Sequence, residues 1–508
     1  MIDRMLRETA NRHPLKTAII YDTMRLSYHE LYTEVGRLSS GLRSMGIKEG
    51  DCITLVLSNC TEFVISFFAA AKLHAAILPI NPLLSAEEIK YYVNDTSSVM
   101  IITDLQRVEL CTKAISKTGK TIPLLVIDGA HPAGLDMKKV LAVAQVNQDA
   151  EHEPYKGFVL YHYSSGSTGR PKRVGKTQKN LFHEAYNFTT TTNITSLDNF
   201  LCVVPLFHAH GLGNCMLAAI HTGATMTILE DFKKNGVTVN VPFVFKCQRL
   251  LELIEKEHIT VLPGVPFVFK ALAETPANIN VHMSSLRLCF SAGNFLPQET
   301  FDKFFKRFGI PVRQLYGCTE AGSVTINLEP GNLIRYDSVG HPMKNVQVII
   351  VDEQGNSLPP GVIGEIAIKS HALTKEYCNM PELNKQVFKN GFFLTGDLGR
   401  KDAEGYLYIT GRKKYFIETG GHKVDPLEIE DVLLTHPKVK EVVVVGIKGL
   451  YDQEIIKAVI VPEGYCQERE IIAYCKERLA SFKIPQLIEF RQEIPRNPLG
   501  KILRKDLV

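Results

Sequence analysis

Along the first hundred residues the apolar positions switch between a helical period and short unbroken runs. Ser27-x-x-Glu30 is a capping box, followed by Leu31, Val35, Leu38 and Leu42 on one helical face and by Gly46 as a stop. Ile53-Thr54-Leu55-Val56-Leu57 then reads as a buried strand. A second box, Ser85-x-x-Glu88, starts the next helix, and Val99-Met100-Ile101-Ile102 is the next strand. Strands alternating with helices predict parallel sheets covered on both faces.

Residues 343–410 change character. Strand runs such as Val346–Val351 lie among frequent Gly and Pro turns, which predicts a mostly β subdomain. After Gly411-Arg412 the pattern resets to a helix (427–434), strands (442–446 and 455–461) and a further helix (468–479). This small α+β module spans roughly a hundred residues, enough for a core of its own. The polar Arg412-Lys413-Lys414 is the expected linker. The expected class is α/β: a large N-terminal domain of parallel-rich sheets with flanking helices and a β subdomain, plus a small α+β C-terminal domain. The hexapeptide at 241–246 recurs at 265–270, but two copies are too few for a repeat architecture.

Composition adds exclusions. The 508 residues are 45% hydrophobic and 22% charged, as in an ordinary soluble globular protein of about three to four domain-sized units. A net charge of +4 calls for neither nucleic acid nor an acidic membrane surface. The Lys/Arg-rich stretch from Lys483 to Lys505 reads as a solvated face. Eleven cysteines without a Cys-x-x-Cys pair suit reduced thiols in the cytoplasm. Met1-Ile2-Asp3-Arg4 does not open a signal peptide. The apolar stretch from Phe63 to Ile80 is broken by Lys72, His74 and Pro79, so no transmembrane segment is expected.

The candidate chemistry begins at Ser164-Ser165-Gly166-Ser167-Thr168-Gly169-Arg170-Pro171-Lys172, after the strand-like 157–161. Glycines let backbone amides approach an anion, hydroxyls add donors, and Arg170 and Lys172 add positive charge. Such a composition also suits a flexible linker, but apolar segments bound it closely and its cations sit at one end. Gly175-Lys176-Thr177 follows, yet a nucleoside-triphosphatase loop needs a glycine five residues before Gly175, where Arg170 stands.

Further segments follow in order. In Tyr316-Gly317-Cys318-Thr319-Glu320 a tyrosine can stack on a flat ring, a threonine can donate to an oxygen, and a glutamate can hold a hard cation, while a turn with an exposed acid is the plain alternative. In Thr395-Gly396-Asp397 a carboxylate can accept from two hydroxyls at once. Ser291–Pro297, Gly411-Arg412, the glycine-rich Gly420-Gly421-His422-Lys423-Val424 and Pro495-Arg496-Asn497-Pro498-Leu499-Gly500-Lys501 complete the set.

Together these motifs resemble the adenylate-forming superfamily, in its acyl-CoA and aryl-CoA synthetase branch, over most of the chain. The resemblance implies a large adenylation domain at 1–411, binding ATP and a carboxylic acid. It implies a small mobile lid at 412–508 that turns about Lys414 and carries the catalytic Lys501. The ATP contacts it implies are Ser164, Ser165, Gly166, Ser167, Thr168, Gly169, Lys172, Gly293, Tyr316, Gly317, Asp397 and Arg412. Thr319 and Glu320 join the catalytic set, with Glu320 holding Mg²⁺. Gly420, Gly421, His422 and Lys423 form the thioester loop beside the pantetheine arm of coenzyme A.

The implied reaction has two steps. The carboxylate attacks the α-phosphorus of ATP, expelling pyrophosphate, and a thiol then displaces AMP from the acyl-adenylate. No protein nucleophile is required, in keeping with the absence of a Ser-His-Asp or Cys-His signature. Pro205-Leu206-Phe207-His208-Ala209-His210-Gly211 occupies the acid-pocket position. Amino-acid-activating members carry an aspartate where this chain has His208, so an acid without an α-amine, fatty or aryl, is expected. The family implies a pocket or gate role for His208; a packed loop histidine, or a metal pair with His210, are the alternatives. Coenzyme A is the expected acceptor because no carrier domain follows Lys501 before Val508. A ligase loading a separate acyl carrier protein, or a non-catalytic acid- or nucleotide-binding relative, are the other readings. Arg173, Gln178 and Asn294 depart from the family pattern, which has glycine, histidine and a small residue there.

Overall fold

A computed structural model of the chain describes residues 1–144, 155–164, 171–234, 237–239, 243–276, 279, 281–330, 333–412, 417–419, 422–424, 426–448, 454–479, 483–497 and 500–508. Its backbone divides into two compact units, 1–348 with 368–393 and 349–367 with 394–508.

In the first unit the strand–helix alternation builds two parallel-rich sheets. Among the described residues one sheet runs Leu135–Asp136, Leu124–Val126, Met100–Thr103, Cys52–Val56, Ala76–Pro79, Phe158–Ser164 and Lys172–Thr177 in spatial order. All neighbours are parallel except the last, which returns antiparallel to Phe158–Ser164. The other sheet runs His341–Pro342, Gly322–Ile326, Val312–Cys318, Leu288–Ser291, Val261–Gly264, Asn199–Cys202, Thr225–Ile228, Thr17–Tyr21 and Met24–Ser27. It is parallel through the middle and antiparallel at both ends.

Both capping boxes form. The Ser27 N–H donates to the Glu30 carboxylate at 2.8 Å and the Glu30 N–H to Ser27 Oγ at 3.2 Å, and Ser85 and Glu88 repeat the exchange. Leu31, Val35, Leu38 and Leu42 are all buried. The apolar stretch after Phe63 divides into the helix Thr61–Lys72 and the strand Ala76–Pro79, whose side chains are almost all buried. A helix apolar all round is a core helix. Among the described residues, no helix is long and apolar enough to cross a membrane. All eleven cysteines are free thiols.

The second unit contains a three-stranded sheet, Val439–Lys448, Glu454–Pro462 and Leu487–Phe490, antiparallel then parallel. The helices Pro426–Leu434 and Glu468–Lys476 supply Ile429, Leu433 and Ile471 to a core shared with Val444, Ile456, Ala458 and Ile460. The basic C-terminal stretch is largely paired: Arg496 with Glu441 at 2.8 Å and Arg504 with Glu430 at 2.9 Å. The chain thus forms the expected α/β fold with a separate C-terminal domain.

Candidate active site

The antiparallel return of Lys172–Thr177 explains how the phosphate-loop candidate is presented. Ser164 and Lys172 lie opposite each other in register at the ends of the two strands. Ser165, Gly166, Ser167, Thr168, Gly169 and Arg170 themselves lie outside the described residues, as do Lys414, Gly420 and Gly421. His422 and Lys423 contribute backbone to the strand His422–Val424. Gly175-Lys176-Thr177 is strand rather than loop, and Lys176 is buried in an ion pair with Glu184 at 3.1 Å.

Tyr316-Gly317-Cys318-Thr319-Glu320 ends the strand Val312–Cys318 and enters the turn to Gly322–Ile326. The two strands pass so closely that a Cβ on Gly317 would stand 2.4 Å from the Gly322 carbonyl oxygen, and Gly322 turns the chain at φ +70°. Glycine is required at both places. The turn leaves Glu320 6% exposed, with Oε1 accepting the Tyr377 phenol at 2.6 Å.

Tyr377, absent from the sequence-based expectations, is the meeting point of the site in this unit. Its ring lies 5.0 Å from Lys172 Nζ, and its hydroxyl also bonds the Ser164 side chain. Burial and the neighbouring Glu320 charge both raise its phenol above the ordinary range. It sits on a strap, 371–378, that is laced to its surroundings. The Thr374 N–H donates to the Glu320 carbonyl at 2.8 Å, its hydroxyl to the Gly175 carbonyl at 2.7 Å, and Asn180 Nδ2 to the His371 and Leu373 carbonyls. Nothing in residue spacing marks one tyrosine in a polar loop, so this hub emerges only from tertiary structure.

The loop expected to border the acid pocket is built around His208 and His210. His208 caps the short helix Ala209–Gly211, its exposed ring accepting the His210 N–H at 3.3 Å. A π-helical turn, Leu212–Leu217, follows directly. His210 has both ring nitrogens engaged: Nε2 3.1 Å from the Gly264 carbonyl oxygen, Nδ1 2.9 Å from Asn214 Nδ2. Asn214 Oδ1 in turn accepts the Ser323 hydroxyl at 2.8 Å. Burial, then the His208 charge, holds His210 down to about 4, and with both ring nitrogens hydrogen-bonded it packs as a structural residue of the loop. No cluster of metal-ligating side chains exists among the described residues.

His162, on the strand Phe158–Ser164, bonds the Phe207 backbone, and its Nε2 is buried without a hydrogen-bond partner. Burial, reinforced by His208 and Lys176, pushes it down to about 3. The unfolded chain binds this proton near pH 6.5, whereas the native state does not until about pH 3. Stability from the neutral ring is therefore present above 6.5 and is lost as pH falls through that window. At pH 5 the loss amounts to about 2 kcal/mol. His162→Asn is expected to show a smaller drop in thermal midpoint between pH 7 and 5 than the parent. Equal drops would contradict this account.

In the second unit, Asp397 and Arg412 face each other across an antiparallel pair, with Arg412 Nε 2.6 Å from Asp397 Oδ1. Thr395 Oγ1 accepts the Asp397 N–H at 3.0 Å, and Glu365 Oε1 accepts the Gly396 N–H at 2.9 Å, an acidic neighbour that sequence reasoning missed. Lys501 is exposed on a tight loop, its N–H donating to Asn497 Oδ1 at 2.9 Å. Arg496 stabilises that loop through the Gly500 carbonyl at 3.0 Å, and Gly500 adopts φ +78°.

The departures from the family pattern have structural explanations at two of three places. Arg173 pairs with Asp95 at 3.4 Å and stacks on Tyr161 at 5.2 Å, tying the hairpin to the helix Ala86–Asp95. Gln178 is buried, accepting the Ile2 N–H at 2.9 Å and donating to the Ala71 carbonyl at 3.3 Å. Asn294 is exposed beside Gly293, which turns the chain at φ +87°; nothing in the structure explains its identity.

Residues 6–378 match the AMP-binding enzyme family, and residues 428–501 match the AMP-binding enzyme C-terminal domain. The chain is 32% identical to 4-coumarate–CoA ligase 3 of Oryza sativa over 95% of its length and 86% of that protein's. It is 31% identical to a crotonobetaine/carnitine–CoA ligase of Escherichia coli, covering 99% of this chain and 98% of the relative. Its fold superimposes on ATP-bound MatB from Rhodopseudomonas palustris with a TM-score of 0.88 at 26% identity, covering 100% and 98% of the two chains. The chain therefore belongs to the AMP-binding enzyme family, within the acyl- and aryl-CoA synthetase branch of the adenylate-forming enzymes.

Proposed function

We propose that this protein joins a carboxylic acid to coenzyme A, forming an acyl-adenylate from ATP and releasing pyrophosphate in the first step. The observation that supports this most is the convergence of Ser164, Lys172 and Glu320, far apart in sequence, on the Tyr377 ring and hydroxyl. The hairpin loop and Lys172 hold the β- and γ-phosphates. Tyr316 and Gly293 serve the adenine, Gly317 the close chain crossing, Thr319 a phosphate oxygen, and Asp397 with Arg412 the ribose. Glu320 has one oxygen committed to a phenol, which leaves the other for a hard cation, so the residues fit Mg²⁺. Mg²⁺ there would neutralise charge on the departing pyrophosphate. Lys501 stabilises charge developing on the α-phosphate. Residues 412–508 move about Lys414, and Gly420, Gly421, His422 and Lys423 then serve thioester formation. His208, in place of an aspartate, favours an acid without an α-amine. Eleven free thiols suit a reducing, cytoplasmic setting.

ATP–pyrophosphate exchange against a panel of fatty, aryl and dicarboxylic acids tests this reading. At least one acid should drive exchange, and silence across the panel would sink the proposal. AMP release with coenzyme A is expected; release only with an acyl carrier protein would make the acceptor a protein. Tyr377→Phe removes one hydrogen bond to a charged group, worth about 1.5–3 kcal/mol. Exchange is expected to fall by roughly 10-fold or more at unchanged acid KM, and an unaltered rate would show that the phenol does not orient Glu320.

A further inference from the structure

We propose that the buried Lys176–Glu184 ion pair is a positioning device that sets the Glu320 carboxylate against the phosphate hairpin. The inference rests on the reading of Glu320 as a cation-holding residue of the adenylation site. Lys176 comes from the return strand of the hairpin and Glu184 from the following helix, Gln178–Thr191. Both side chains are almost fully buried, at 2% and 4% exposure. Lys176 Nζ donates to Glu184 Oε2 at 3.1 Å and to the Ala372 carbonyl at 3.0 Å. Burying two charges costs desolvation energy that apolar side chains of similar size avoid, so stability alone does not account for the pair.

Its contacts do. The Glu184 carboxylate fills the space beside two glycines: a Cβ would lie 2.3 Å from Oε1 at Gly213 and 2.4 Å from Cδ at Gly322. Gly213 belongs to the π-helical turn behind His208, and Gly322 follows Glu320 by two residues. On the other side, Ala372 begins the strap whose Thr374 and Tyr377 hold the Glu320 backbone and carboxylate. One ion pair thus fixes the hairpin, the acid-pocket turn and both supports of Glu320. Lys176 and Glu184 are positioning residues acting through these contacts.

The test compares the full-length parent with Lys176→Met/Glu184→Gln, which removes both charges while preserving shape. The thermal midpoint should stay within about 3 °C. Half-saturating Mg²⁺ in ATP–pyrophosphate exchange should rise roughly 10-fold, and amides of 320–322 and 371–378 should exchange hydrogen roughly 10-fold faster at unchanged core protection. Parent-like Mg²⁺ dependence and amide protection in the double variant would overturn the proposal. Should that variant fail to fold, Glu184→Asp keeps the charge but withdraws it by one methylene, and a roughly threefold Mg²⁺ shift is expected; no shift overturns the proposal. A parent silent in exchange would refute the adenylation reading instead, and the amide measurement would still decide the role of the pair.

Discussion

Lys501→Ala is expected to lower acid-dependent ATP–pyrophosphate exchange by about 10²–10³-fold, the usual cost of removing one preorganised stabilising group where charge develops. Thioester formation from a supplied acyl-adenylate should stay within about twofold, because the α-phosphate charge is then already built. The loop itself should survive the change. Asn497 Oδ1 accepts the Lys501 backbone N–H at 2.9 Å, the Asn497 N–H donates to the Lys501 carbonyl at 2.8 Å, and Arg496 bridges Gly500 and Glu441. None of these bonds uses the lysine side chain. Measuring both half-reactions on one preparation checks the prediction, and equal loss of the two steps would contradict the role assigned to Lys501.

Asp397→Ala is expected to weaken nucleotide binding by roughly 10²–10⁴-fold, through the loss of two hydrogen bonds to a charged acceptor worth about 1.5–3 kcal/mol each. Asp397 is 4% exposed and its backbone N–H is held by Thr395, so the carboxylate is aimed before any ligand arrives. Its partner Arg412 is half exposed, and water can solvate the guanidinium once the carboxylate is gone. The thermal midpoint should therefore change little. Calorimetric titration with AMP reads the effect directly; unchanged affinity would remove Asp397 from the nucleotide site.

Local rules carried most of the fold. The Ser27 and Ser85 boxes, the face from Leu31 to Leu42 and the strands near 53 and 101 depend on neighbours in sequence, so propensity and period suffice to read them. The motifs at 316–320, 395–397 and 495–501 were picked out through their resemblance to the adenylate-forming enzymes, not from spacing alone. Tyr377, Glu365 and Lys176 were not. Tyr377 and Glu365 work through partners 57 and 31 residues away, and Lys176, met in the sequence only as part of a failed phosphate-loop match, works through Glu184 on the next helix and the Ala372 carbonyl. Arg173 shows the same limit: in the sequence it is only a departure from the family's glycine, and its engagement by Asp95 and Tyr161 appears in the fold. The hexapeptide shared by 241–246 and 265–270 shows context overriding sequence. Phe243–Lys246 is 3₁₀ in the first copy, whereas the second enters the α-helix Pro266–Ala273.

The π-helical turn at Leu212–Leu217 gives the proposed acid-pocket wall a distinctive fragility. A π turn holds one residue more than the α turn it replaces. Deleting a single residue there would let the helix relax into regular α geometry, at no loss of backbone bonding. The flanking turns would keep their register, because the extra residue is what the π turn absorbs, while the side chains inside the turn would be reset. Asn214 would then swing away from either His210 or Ser323, and the tie between the acid pocket and the strand beyond Glu320 would part. The turn is thus as sensitive to its length as to a Cβ at Gly213, which would stand 2.3 Å from Glu184 Oε1.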